Sequence, residues 1–241
     1  MKIISSFRSV IVLILTPVLT FLTSFSAIVG MFFFRVSGEK IQVLPRYWAR
    51  IILSLAGVTV NVKGGQQLNP KTPYIFAANH LSQFDIFALQ GYLTMDFRWL
   101  AKKELFDIPV FGAAMRMVGY IPVDRSRGRK ALVSLNEAAN RVAAGTSVVI
   151  FPEGTRSKDG KLHSFKSGAM VLAIKAGVPI VPVAIKGTYE VLPKGKLLAR
   201  SGHVELTLGN PIETKGLKSA DKQELATKLE QEVAGMLVST S

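Results

Sequence analysis

Two side chains able to share a proton stand five positions apart in the stretch AANHLSQFDI, residues 77–86. His80 closes a short apolar run of the buried-strand kind, and Asp85 falls in the first turn expected of the following helix. At the carboxyl edge of a strand, where α/β proteins gather their sites, the two can meet across the turn. The carboxylate would accept from one imidazole nitrogen, fix the tautomer and leave the other nitrogen free as a base. No serine, cysteine or lysine is placed to form a covalent intermediate, so such a pair would activate a hydroxyl brought by a substrate. The same residues also read as helix-start chemistry, since Ser82 followed three positions later by Asp85 resembles a capping box.

A second chemical stretch is VVIFPEGTRS, residues 148–157, in which a buried strand runs into Pro-Glu-Gly-Thr-Arg. Gly154 permits close backbone approach, and the guanidinium fork of Arg156 near the strand end suits a bidentate phosphate contact. Arg125 ends another strand candidate, and Lys102 and Lys103 end a third. If the strands are parallel, these cations lie on the same side of a sheet as His80 and form an anion site; the plainer alternative is a set of turns with solvated charges. The absent motifs narrow the field. There is no G-x-S-x-G elbow and no G-x-G-x-x-G fingerprint, and the faint phosphate-loop likeness around Gly154, Gly160 and Lys161 fails because Leu162 stands where Ser or Thr would hold a metal ion. With no cysteine and with His80, His163 and His203 scattered, thiolate and zinc sites are not expected.

These residues need a frame to hold them. VTVNVKG alternates like a strand, and YIFAANH, FRWLAKK, YIPVDR, TSVVIFPEG, PIVPVAIKG and HVELTLG add further strand candidates, several apolar on both faces. Helical patterns fall between them: DIFALQGYL, a stretch from Glu104 to Met117, KALVSLNEAANRVAAG ending at Gly145, and SGAMVLAIKAG. A final helix capped by Ser219 carries Leu225, Leu229, Val233 and Met236 at helical spacing. The expected class is α/β, a mixed, mostly parallel central sheet of about seven strands flanked by helices.

The N-terminal part has a different character. From Ser9 to Phe34 there are 26 residues without a charge, bracketed by basic residues. A straight helix of that length would be about 39 Å long, enough to cross a hydrocarbon core of about 30 Å. A signal peptide is disfavoured because the run is too long and lacks a clear cleavage site. A single spanning helix and a hairpin dipping into one leaflet, broken near Pro17 and returning through YWARIILSLAGV, are the two remaining readings, and the hairpin is preferred. Residues 1–57 are therefore expected to be a membrane-embedded anchor, and residues 58–241 one catalytic domain. With 30 Lys+Arg against 16 Asp+Glu, the net charge of +14 fits an anionic surface or substrate.

Taken together, Asn79-His80 with Asp85, Gly119 to Arg125, Phe151-Pro152-Glu153-Gly154-Thr155-Arg156 and Val181-Pro182-Val183 resemble the four ordered motifs of the glycerolipid acyltransferases. The resemblance is strongest to the bacterial 1-acylglycerol-3-phosphate acyltransferases and runs from Val58 to about Gly209. It implies the glycerolipid acyltransferase fold. The implied activity is acyl transfer from acyl-CoA or acyl carrier protein to the sn-2 hydroxyl of lysophosphatidate, giving phosphatidate. In that reading His80 is the general base and Asp85 its orienting partner. Arg156, Arg125 and Lys102 bind the acceptor phosphate, Glu153, Gly154 and Thr155 shape that site, and Pro182 is structural or lines a substrate channel. Pro122 departs from the family pattern, which often has an aromatic there. No metal, no prosthetic cofactor and no nucleic-acid partner is implied. The expected location is the inner membrane, with the catalytic domain facing the cytoplasm. Two alternatives remain at this point: the same chemistry on another lysolipid, and a non-catalytic basic protein bound to membrane or nucleic acid.

Overall fold

The strand candidates assemble as expected. A computed structural model describes residues 2–124 and 129–239. Its strands are β1 (Val58–Gly64), β2 (Ile75–Ala78), β3 (Arg98–Lys102), β4 (Ile121–Val123), β5 (Val148–Ile150), β6 (Ile180–Lys186) and β7 (Gly202–Leu208). They form one sheet in the order β1-β7-β6-β2-β5-β3-β4. Only the β6–β7 pair is antiparallel among the described residues. Position in the sheet explains each strand's composition: β2 and β5 are central and buried throughout, whereas the edge strand β1 alternates between buried and exposed residues.

Helices cover both faces. In chain order they are α1 (Lys2–Phe33), α2 (Gly38–Ile41), α3 (Val43–Ala56), α4 (Phe84–Tyr92), α5 (Phe111–Val118), α6 (Arg129–Ala143), α7 (Ser167–Ala176), α8 (Thr188–Val191) and α9 (Lys222–Ser239). Successive β2 side chains point to opposite faces. Phe76 joins Ile52, Leu53, Phe84 and Phe87 under α3 and α4, while Ile75 and Ala77 join Val142, Met170, Leu172, Leu229 and Val233 under α6, α7 and α9.

Three local expectations need correction. The helix expected over Glu104–Met117 is a 3₁₀ segment, Lys103–Asp107, followed by α5. Pro109 lacks an N–H and forces Ile108 into an extended conformation (φ −71°, ψ 122°), so a continuous helix is broken there. The chain then turns at Val110 (φ 63°), and Gly112 at the start of α5 packs so closely that a Cβ there would lie 2.0 Å from the Phe106 carbonyl oxygen. Ser219 does not cap the last helix: it opens a 3₁₀ turn, and the Asp221 carboxylate accepts from Lys218 N at 2.6 Å. Nor does α1 break at Pro17. One missing donor is tolerated where a neighbouring helix holds the segment, and here Trp48 Nε1 of α3 donates to Thr20 Oγ1 at 3.1 Å. The chain reverses instead between Phe34 and Gln42, and α3 returns along α1. Within α1, Phe7–Phe33 is long and apolar enough to cross a membrane, and its Leu13, Ile14, Val18, Phe21 and Leu22 are exposed.

A buried polar knot ties this helical pair to the sheet. Gln42, just before α3, donates to Phe97 O (3.3 Å), and Gln90 of α4 accepts from Trp99 Nε1 of β3 (2.7 Å). The Tyr120 hydroxyl reaches both Gln42 Oε1 (3.4 Å) and Gln90 Oε1 (3.3 Å). Burial pushes the Tyr120 phenol well above its ordinary range, so it remains a donor.

Candidate active site

The carboxyl ends of β2, β5 and β6 point to the same edge of the sheet, and the candidate residues leave the sheet there. At the end of β2, Asn79 is fully buried and bonds the β6 backbone twice, donating to Ile185 O (2.9 Å) and accepting from Ile185 N (2.7 Å). The next residue, His80, is thereby fixed in its main chain. Its N–H donates to Glu153 Oε1 (2.7 Å) and its carbonyl accepts from Ser157 N (2.7 Å), which joins the loops after β2 and β5.

His80 Nδ1 lies 2.8 Å from Asp85 Oδ2. The same oxygen accepts from Leu81 N (2.7 Å) and Ser82 N (2.8 Å), and Asp85 Oδ1 accepts from the Thr188 hydroxyl. Asp85 is fully buried with donors on both oxygens. An acceptor on Nδ1 places the ring proton there and leaves Nε2, which has no partner among the described residues, as the basic nitrogen. The N-cap of α4 is Gln83, one residue later than expected and without a side-chain cap bond, so the Ser82 N–H bond to Asp85 is only the single arm of a capping box and belongs to the same arrangement as the pair. The serine hydroxyl accepts from Phe84 N (3.1 Å) and donates to Leu192 O (2.7 Å). Phe151 stacks on the His80 ring with centroids 3.8 Å apart and planes 11° from parallel, and Trp99 stacks behind Phe151 at 6.0 Å.

The loop after β5 supplies the second half of the site. Glu153 is buried, and its Oε2 finds no partner among the described residues. Burial pushes its carboxyl up to about 7, against the opposing pull of the His80 N–H and of His163 and with a further rise from Asp85. Gly154 has φ +74°, and a Cβ there would meet Lys166 Nζ at 2.9 Å. Thr155 Oγ1 and Arg156 O both accept from Lys194 Nζ, at 2.9 and 3.0 Å. The Arg156 side chain makes no ion pair with a described acidic residue and lines an open groove of about 530 Å³ beside Gln83, Phe84 and Phe87. Lys102 lies at the end of β3, two strands from β2, where its ammonium pairs with Glu104 at 3.4 Å. The structure records no contact between it and the His80–Arg156 cluster. Arg125 lies outside the described residues. No group of three or more His, Asp and Glu side chains suited to a metal ion occurs among the described residues.

The Acyltransferase family model matches residues 59–186, a span that opens with β1 and closes with β6. The chain belongs to the glycerolipid acyltransferase family. Its fold is of the PlsC type: the 1-acyl-sn-glycerophosphate acyltransferase PlsC from Thermotoga maritima aligns over 94% of this chain and 96% of its own, with 29% identity and a TM-score of 0.73. The human 1-acyl-sn-glycerol-3-phosphate acyltransferase alpha is 32% identical over 192 residues, 79% of this chain and 68% of the human protein. The chloroplastic LPAT1 of Arabidopsis thaliana is 36% identical over 171 residues, 70% of this chain and 48% of that protein. The chain thus spans about half the length of the chloroplastic relatives it matches.

Several residues of this candidate site escaped the reading of the sequence. Thr188 and Lys194 lie beyond the matched span and reach the site from the far side of β6. Lys194 sits in a Lys-rich loop, which was the available signal, but nothing local marks Thr188. Trp99 and Gln90, which stand behind Phe151, look like ordinary core positions.

Proposed function

We propose that the protein transfers an acyl chain from a thioester donor, acyl-CoA or acyl carrier protein, to the sn-2 hydroxyl of 1-acyl-sn-glycerol-3-phosphate. The observation that carries this reading is the free Nε2 of a histidine whose Nδ1 is held by buried Asp85, close in the fold to the Thr155-Arg156-Lys194 cluster. Nε2 takes the hydroxyl proton as the acceptor oxygen bonds to the thioester carbonyl carbon. The tetrahedral intermediate collapses, the C–S bond breaks, and the imidazolium returns the proton to the departing thiolate. Asp85 orients the ring and balances its transient charge. Arg156 holds the acceptor phosphate as a forked donor, with Lys194 fixing the loop that presents it. The thioester is already activated, so base catalysis and positioning account for the reaction without a metal or prosthetic group. An acceptor that resides in a bilayer accounts for α1, and cytoplasmic donors favour the cytoplasmic face of the inner membrane.

The test is the purified protein in lipid nanodiscs with lysophosphatidate and donors of graded chain length, read out as free thiol and phosphatidate. Turnover is expected for the wild type, with His80→Ala reduced about 10²- to 10⁴-fold. Wild-type turnover in His80→Ala overturns the mechanism, and product from a different lysolipid alone overturns the acceptor.

A further inference from the structure

The loop Leu192–Arg200 has apolar side chains exposed at its tip. Leu197 is 73% and Leu198 50% exposed, and they are flanked by exposed Lys196 and Arg200. The loop is shaped by its own backbone rather than left slack: Lys196 N donates to Pro193 O (3.1 Å), and Arg200 N closes it onto Val191 O (2.8 Å). It leans on the start of the apolar run of α1, where the Ser9 hydroxyl donates to Ala199 O, and Leu197 and Ala199 share a groove with Val12, Leu13 and Thr16. The exposed leucines therefore continue the exposed face of α1 formed by Val10, Leu13 and Ile14. An apolar patch extended across two elements and rimmed by cations is the pattern of a surface that meets lipid: leucines enter the acyl region while Lys and Arg stay with anionic headgroups.

We infer that the Leu192–Arg200 loop is a second lipid contact, inserting Leu197 and Leu198 into an anionic leaflet beside α1. This rests on the membrane reading given under Proposed function. It also has a geometric consequence for the acceptor, because Lys194 of the same loop bonds to Thr155 and to the Arg156 carbonyl. The loop that touches the leaflet is the one that braces the phosphate-binding turn.

The inference is tested with full-length Leu198→Trp reconstituted into vesicles of phosphatidylethanolamine and phosphatidylglycerol, with and without acyl-chain bromination. Relative to the wild type with its two native tryptophans, the introduced indole should give blue-shifted emission that brominated lipid quenches. Emission that stays water-like while the protein sediments with the vesicles overturns the loop contact but leaves the acyltransferase reading intact. Protein that remains free of the vesicles overturns the loop contact together with the membrane reading. As a second measurement, Leu198→Asp should raise the half-saturating amount of vesicle-borne lysophosphatidate about ten-fold, the effect of one lost leucine insertion. Turnover of a monomeric short-chain lysophosphatidate should be unchanged. Equal losses on both substrates overturn the inference.

Discussion

The imidazole of His80 lies flat on the ring of Phe151, 3.8 Å between centroids, while its edge is held by Asp85 at 2.8 Å. The imidazole is thus fixed in two independent directions: the hydrogen bond sets which nitrogen is free, and the stack limits how the ring tilts. For Phe151→Leu, a change of shape that costs less than about 1.5 kcal/mol of stability when volume is nearly kept, we expect kcat to fall roughly ten-fold or more through lost orientation. The acceptor KM should move much less. Steady-state kinetics with a thermal melt on the same sample separate the effects, and an unchanged kcat removes Phe151 from positioning.

Asp85→Asn should be far more damaging than a lost cap. Four donors face the two carboxylate oxygens, and a carboxamide nitrogen can accept from none of them. The amide oxygen can replace Oδ2 toward His80, Leu81 and Ser82, but the nitrogen then faces Thr188, whose hydroxyl loses its acceptor at a cost of about 1–3 kcal/mol, and a protonated imidazole would lose the anion that balances it. Turnover should fall by about 10³-fold or more. Urea unfolding and activity measured together check it; full activity with lowered stability would assign Asp85 to capping alone.

Glu153 makes the pH dependence of stability informative. Its folded carboxyl is pushed up to about 7 from an ordinary 4.5, so the native state holds this proton more tightly than the unfolded chain does. The contribution is fully present below pH 4.5 and is lost as pH rises through about 7. Glu153→Gln keeps an acceptor for the His80 N–H and cannot ionise. Relative to it, the wild type should lose stability between those two pH values. Parallel denaturant titrations across this range give the difference, and parallel curves would contradict the assignment.

Arg156→Ala should raise the acceptor KM about ten- to a hundred-fold, the worth of a charge-assisted hydrogen bond, with a smaller change in kcat. Lys194→Ala should act in the same direction but more weakly, since its ammonium bonds to Thr155 and the Arg156 carbonyl. Initial rates against lysophosphatidate at fixed donor check both, and an unchanged KM in Arg156→Ala removes it from the phosphate site.

The strands were legible because each is a short apolar or alternating run bounded by turn residues, and the His80–Asp85 pair because both partners fall within one strand-to-helix turn. What failed was decided locally by single atoms, as at Pro109 and at Asp221, or globally by chain reversal. Pro17 looked like a hinge, yet packing against Trp48 kept α1 continuous and moved the reversal to the segment before Gln42. The strand order was not legible, and neither were Thr188 and Lys194. Their bonds to Asp85 and Thr155 span 103 and 39 residues and exist only once β6 has docked beside β2.

On the proposed membrane reading, the polar knot at Gln42 would make the N-terminal helical pair a height reference for the candidate site. From Gln42 to Tyr120, Gln90, Trp99, Phe151 and finally His80, each contact is at least partly buried or stacked, so if the helical pair rides in a leaflet as proposed, its depth would be passed on to the His80 ring. Such an enzyme would select among acceptors by how far the reacting hydroxyl rises from the lipid as well as by its headgroup, and bilayer thickness would then become a kinetic variable.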